Sequence, residues 1–158
     1  MNKNCKLTFY ASELNQYNYI LDNSEIKRKI SLFLLKYVSV EAFYKKLLIY
    51  EKEYNGKKLS VKEKRNLRVK VLDVKRVLNF FNISCDEALV ERIFGSNDKN
   101  YMECSIKKLR DRMVHSVNDK VLGVILERHD DMNRDMDDFI SLFLEQHNKT
   151  INGDTKCS

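Results

Sequence analysis

Ser24 to Gly56 reads SEIKRKISLFLLKYVSVEAFYKKLLIYEKEYNG. Ser24 is placed as a helix N-cap, and Ile26, Ile30, Phe33, Leu34 and Tyr37 follow it at helical spacing. Ser39 either caps a second stretch or lies inside one continuous helix. Ala42, Phe43, Leu47, Tyr50 and Tyr54 continue an apolar stripe, and Gly56 is a natural stop. The sequence contains no proline and only four glycines among 158 residues. Proline breaks helices and glycine-rich turns mark sheets and phosphate loops, so this composition predicts long helices with short polar links.

Outward from that stretch, Ser60-Val61-Lys62-Glu63 is a capping box, in which hydroxyl and carboxylate each satisfy a free backbone N–H. The helix it opens carries Leu67, Val71, Val74, Leu78 and Phe81 on one face. Ser84-Cys85-Asp86-Glu87 reads as a second box, opening a short helix with Ala88, Leu89 and Ile93 that ends at Gly95. Ser96 to Met102 is polar and reads as a loop. Ser105 begins a helix with Ile106, Leu109, Met113 and Val114 facing inward, and a break is placed around Ser116 to Asp119. A last helix carries Val121, Val124, Ile125, Met132, Met136, Phe139, Ile140 and Phe143. Together these predict an all-α fold, an up-and-down bundle of four or five main helices. The domain spans residues 23–147. Residues 1–22 carry no firm assignment, although Leu14, Tyr17, Ile20 and Leu21 have helical spacing, and a polar, disordered tail is expected over 148–158. The expected core is Phe33, Leu34, Phe43, Leu47, Leu67, Val71, Val74, Leu78, Leu109, Met113, Val121, Ile125, Phe139 and Phe143.

No apolar run is long enough to span a bilayer, and the N-terminus lacks the pattern of a secretory signal. Cys5, Cys85, Cys104 and Cys157 form no C-x-x-C pair, so reduced thiols in a cytoplasm are expected. Charge is uneven. From Ser24 to Val77 sixteen Lys/Arg face six Asp/Glu, a balance of +10; from Glu127 to Glu145 seven acids face two bases, a balance of −5. The basic half suits a polyanion such as RNA as well as it suits a plain solvated helix surface. Asp131 to Asp137 imitates the start of a calcium loop, but Met136 stands where the turn glycine belongs and Leu142 where the final Glu belongs. That stretch is expected to be an acidic helix face, and no cofactor or metal is expected.

One segment carries candidate chemistry: Arg110-Asp111-Arg112-Met113-Val114-His115. An arginine followed at once by Asp, then by His four residues further on, sits on an amphipathic helix ahead of a long final helix. This combination resembles the HEPN superfamily, whose hallmark is R-x(4 to 6)-H, often with Asn, Asp or His directly after the Arg. The resemblance extends over Ser24 to Gln146 in architecture and over these six residues in motif. It implies a metal-independent endoribonuclease, a toxin or antiphage effector with or without an antitoxin, acting as a homodimer with two motifs across one cleft. Other members have lost catalysis and bind RNA or nucleotides, so a non-catalytic module binding RNA, a nucleotide or a protein is the alternative. One subgroup has Tyr two residues after the His; Val117 stands there, so a modification at that position is not implied. The implied catalytic residues are Arg110, Asp111 and His115, with Lys64, Arg65, Arg68 and Arg112 as RNA-binding candidates. The chemistry fits: histidine titrates near neutral pH and can act as base, and arginine binds phosphate through two N–H groups. On a straight helix, however, five steps rotate roughly 140°, so Arg110 and His115 share no face unless the helix ends or bends near His115.

Overall fold

The computed structural model describes residues 22–96, 100–115 and 119–154. The helical reading of Leu14 to Leu21, the loop residues 97–99, the break at Ser116 and residues 155–158 lie outside the described residues. Among the described residues the protein is all-α, with seven helices and no strand: α1 (Ser24–Tyr54), α2 (Val61–Arg65), α3 (Val71–Phe80), α4 (Glu87–Phe94), α5 (Ile106–His115), α6 (Asp119–Glu127) and α7 (His129–Asp154). None is long and apolar enough to cross a membrane.

Helix α1 is continuous for 31 residues. Ser39 lies inside it, donating its hydroxyl hydrogen to the Leu35 carbonyl at 2.8 Å. The N-cap is Asn23 and not Ser24, because the Asn23 side chain accepts from the Ile26 N–H at 3.0 Å. The inner face of α1, Ile30, Phe33, Tyr37, Val40, Tyr44 and Leu48, is buried, and α3, α5, α6 and α7 pack around it. Tyr44 is the centre of this arrangement. Its ring lies 5.7 Å from Phe94 of α4 and 6.2 Å from Phe139 of α7, and its hydroxyl donates to the Asp73 carbonyl of α3 at 2.8 Å. On the surface, Arg92 forks onto Asp135 and ties α4 to α7.

Two expected helices are broken. The Ser60 capping box forms as expected, but α2 ends at Arg65 and the chain extends to Lys70 before α3 starts. Val69 is buried between exposed Arg68 and Lys70, and the backbone at Lys70 is extended. The second break is at Arg128, between α6 and α7, where the guanidinium donates to the Cys104 carbonyl at 2.7 Å. These breaks raise the helix count above four or five.

Smaller differences have local causes. Helix α4 is capped by Asp86, which accepts from the Ala88 N–H, and not by Ser84. Gly95 ends it as expected, since any Cβ there would collide with the Glu91 carbonyl. Gly56 takes φ +83°, the left-handed conformation that lets the chain leave α1. The calcium-like stretch is helical within α7, with Met132 and Met136 buried. Helix α7 runs on to Asp154, so residues 148–154 are helical where a disordered tail is expected; extending an established helix fixes one residue per hydrogen bond gained. Of the expected core, Phe33, Val74, Leu78, Leu109, Met113, Val121, Ile125 and Phe139 are buried, and Leu34, Leu47, Leu67, Val71 and Phe143 are partly buried. Phe43 is a correction: it is 40% exposed, turned outward on α1 and covered on one side by Phe143.

Because ring and hydroxyl of Tyr44 contact different helices, they can be separated. Tyr44→Phe is expected to lose about 1 kcal/mol of stability, and Tyr44→Ala about 3–5 kcal/mol. Urea denaturation measures both. Equal losses would show that the hydroxyl bond, and not ring packing, holds the helices.

Candidate functional site

Arg110, Asp111 and His115 line one open cleft of about 410 Å³ together with Glu41, Lys45, Leu67, Arg68 and Lys107. The cleft lies where α5 meets α1 and the extended link between α2 and α3. Helix α5 stays helical to its last residue, His115, so no earlier bend brings that side chain round to Arg110. Lys107, Asp111 and His115, at i, i+4 and i+8, form a ridge along the cleft. Arg110 lies to one side of that ridge and reaches toward α1. The groove between elements unites Arg110 and His115, which a shared helix face does not.

Arg110 is held from several sides. Its Nη2 donates to Glu41 Oε2 at 3.0 Å, its Nη1 lies 3.1 Å from Asp111 Oδ1, and its guanidinium sits 4.9 Å above the Tyr37 ring. The side chain is 22% exposed, and Nε is buried without a hydrogen-bond partner. Burial works against its charge, but Tyr37, Glu41 and Asp111 outweigh that and raise its pKa. Tyr37 is fully buried beneath it; burial first, and then the Glu41 charge, push its phenol well above the usual range, with Arg110 pulling the other way. Glu41 also lies 3.6 Å from Lys45 Nζ. His115 is exposed at the end of α5.

The four RNA-binding candidates do not converge. Arg68 lines the cleft. Lys64 pairs with Glu53 instead, and Arg65 is exposed on α2, outside the cleft lining. Arg112 is turned away: its Nη1 donates to Cys104 Sγ at 3.2 Å and its guanidinium stacks 4.1 Å above Tyr101. Two steps of a helix rotate about 200°, so Arg110 and Arg112 cannot serve one groove.

Sequence reasoning misses Glu41, Lys45 and Lys107. Lys107 had a findable signal, since it precedes Asp111 by one helical repeat. Glu41 and Lys45 had none, because their part in the site depends on how α1 packs. Among the described residues no three His, Cys, Asp or Glu side chains gather as a metal cage. The cleft instead gathers four cations, Lys45, Arg68, Lys107 and Arg110, against two carboxylates, Glu41 and Asp111. That surplus suits an anionic ligand. Comparison with protein-family models, curated proteins and solved structures gives no match, so the functional reading rests on the cleft and the motif.

The two buried tyrosines of α1 should respond differently to loss of the hydroxyl. The buried Tyr37 hydroxyl is close enough to Arg110 to be acted on by it, yet makes no bond of full hydrogen-bond geometry, so Tyr37→Phe is expected to lower the melting temperature less than Tyr44→Phe. Tyr37→Ala should cost about 3–5 kcal/mol and loosen Arg110. A fall in melting temperature with Tyr37→Phe as large as with Tyr44→Phe would mean that the Tyr37 hydroxyl bonds Arg110 as firmly as the Tyr44 hydroxyl bonds the Asp73 carbonyl.

Proposed function

We propose that this protein is an endoribonuclease of the HEPN type, cleaving RNA through its 2′-OH without a metal. The observation that carries the reading is the meeting of Arg110, Asp111 and His115 in one cation-rich cleft. His115, exposed and at the cleft edge, takes the proton of the 2′-OH. The 2′ oxygen attacks the adjacent phosphorus, and Arg110 balances the charge of the phosphorane. The 5′ oxygen leaves with a proton from a second, protonated His115 contributed by a paired copy, giving a 2′,3′-cyclic phosphate and a free 5′-OH. Asp111 fixes Arg110 in place.

Pairing is supported by the outer side of α1. Leu32, Leu35, Val38, Ala42 and Phe43 are exposed and uncharged in a chain that is 33% charged, and Val38 lies about one turn from Glu41. An exposed apolar face of this kind suits a two-fold contact, which would bring a second cleft close. In this reading the protein works in the cytoplasm as a toxin or antiphage effector, restrained by an antitoxin or other partner.

The alternative, a non-catalytic module that binds RNA, a nucleotide or a protein, is favoured by one observation: Arg110 already spends donors on Glu41 and Asp111. Purified protein incubated with mixed RNA in chelator decides between the two. Cyclic-phosphate ends, lost in His115→Ala, are expected, and DNA of the same sequence should survive. Arg110→Lys should also abolish cleavage, since a point charge does not replace the fork; it is a cleaner test than Arg110→Ala, which leaves Glu41 with Lys45 as its one cationic partner among the described residues. Asp111→Asn should be milder. Products with 5′-phosphate, or activity restored only by magnesium, would assign a different nuclease class, and no cleavage by folded protein favours the binding module.

Oligomeric state is a separate test. Leu35 is 68% exposed, so Leu35→Glu should leave the helical circular-dichroism spectrum unaltered while converting a dimer to a monomer in light scattering. Full activity in a monomeric wild type would remove the paired histidine from the mechanism.

A further inference from the structure

The cations of the cleft are not equivalent. Arg110 is engaged by two carboxylates, and Lys45 shares Glu41 with it. Lys107 is different. Its Nζ donates to the Val69 backbone carbonyl at 2.9 Å, a neutral acceptor that fixes the ammonium in position without cancelling its charge. Arg68 precedes Val69 on the same extended link and lines the same cleft, exposed. Among the described residues no carboxylate pairs with Arg68 or Lys107. The link is itself anchored, because Val69 is fully buried. Two uncompensated positive charges are therefore held on one lip of the cleft by a buried residue and a backbone bond, opposite an arginine whose charge is already answered.

We propose that the Arg68–Lys107 lip is a phosphate-binding site, and that a phosphodiester of an RNA strand is seated there before it reaches Arg110. Identifying the phosphate as part of RNA rests on the ribonuclease reading; the anion site itself follows from the charges. Arg68 and Lys107 can neutralise a strand phosphate, releasing the cations condensed on the strand, without displacing any carboxylate, whereas on Arg110 the phosphate must compete with Glu41 and Asp111. The lip binds and the arginine acts later, so affinity and turnover belong to different residues.

The probe is a 2′-O-methyl oligoribonucleotide, which keeps the phosphates and lacks the nucleophile, titrated against full-length protein by fluorescence anisotropy at several salt concentrations. Lys107→Gln and Arg68→Gln should each weaken binding about tenfold near 0.1 M salt and reduce the slope of log K against log salt by about one. Lys64→Gln, on a cation already paired with Glu53 and outside the cleft lining, should change affinity by less than twofold. Unchanged binding in both lip variants overturns the proposal, as does an equal loss in Lys64→Gln. Inorganic pyrophosphate forms the second arm. Wild-type protein that binds pyrophosphate as tightly as the oligonucleotide, with the same losses at Arg68 and Lys107, would overturn the strand assignment in favour of a small phosphate ligand. The nuclease reading is scored separately on unmodified RNA. Cleavage with undiminished oligonucleotide binding in both lip variants rejects the lip alone, and lip-dependent binding without cleavage rejects the nuclease alone.

Discussion

The structure depends on the burial of Tyr44. Its ring packs against Phe94 and Phe139, which also meet each other at 5.4 Å, and its hydroxyl reaches across to the backbone of α3. One side chain of α1 thus contacts α3, α4 and α7. An aromatic cluster excludes water over a large area and also fixes direction, because its rings prefer tilted and edge contacts. Since α1 is an unbroken helix of 31 residues, fixing it at Tyr44 fixes everything along it. Glu41 lies about one turn away and Tyr37 about two, and both meet Arg110.

That coupling accounts for the form of the cleft. Helix α5 is seated by Ile106, Leu109 and Met113, all buried. With that side committed to the core, the Lys107–Asp111–His115 ridge must face outward and Arg110 must fall against α1. A half-buried guanidinium needs partners, and α1 supplies a carboxylate and an aromatic face. The same seating sends Arg112 to the opposite side, onto Tyr101 and Cys104. Neighbours in sequence thereby acquire different tasks.

Charge in the cleft is graded rather than pooled. Arg110 is rigid and answered by carboxylates; Lys107 is held by a carbonyl and Arg68 stands exposed. A groove built this way can attract an anion with one set of cations and orient it with another. The basic excess between Ser24 and Val77 reaches the cleft only through Lys45 and Arg68. Much of the rest is answered locally: Lys64 meets Glu53, Arg76 meets Glu51 and Asp73, and Lys75 meets Glu87.

The sequence by itself determined the all-α class, the Ser60 capping box, the stop at Gly95, the inward face of Met113 and the R-x4-H segment. Each of these rests on residues within a few positions of one another, where helical period and hydrogen bonding to the local backbone act. The tertiary structure decided what local pattern could not. The chain leaves the helix between Arg65 and Val71, where Val69 is buried against the core. It breaks at Arg128, whose guanidinium bonds to the Cys104 carbonyl 24 positions back. Phe43 turns out to solvent, as do Tyr50 and Tyr54 of the same apolar stripe, while Val40, Tyr44 and Leu48 are buried, because a helix face is buried only where another element covers it. Glu41 entered the site from 69 residues away. Its carboxylate is unremarkable in sequence, and packing around Tyr44 is what sets it against Arg110.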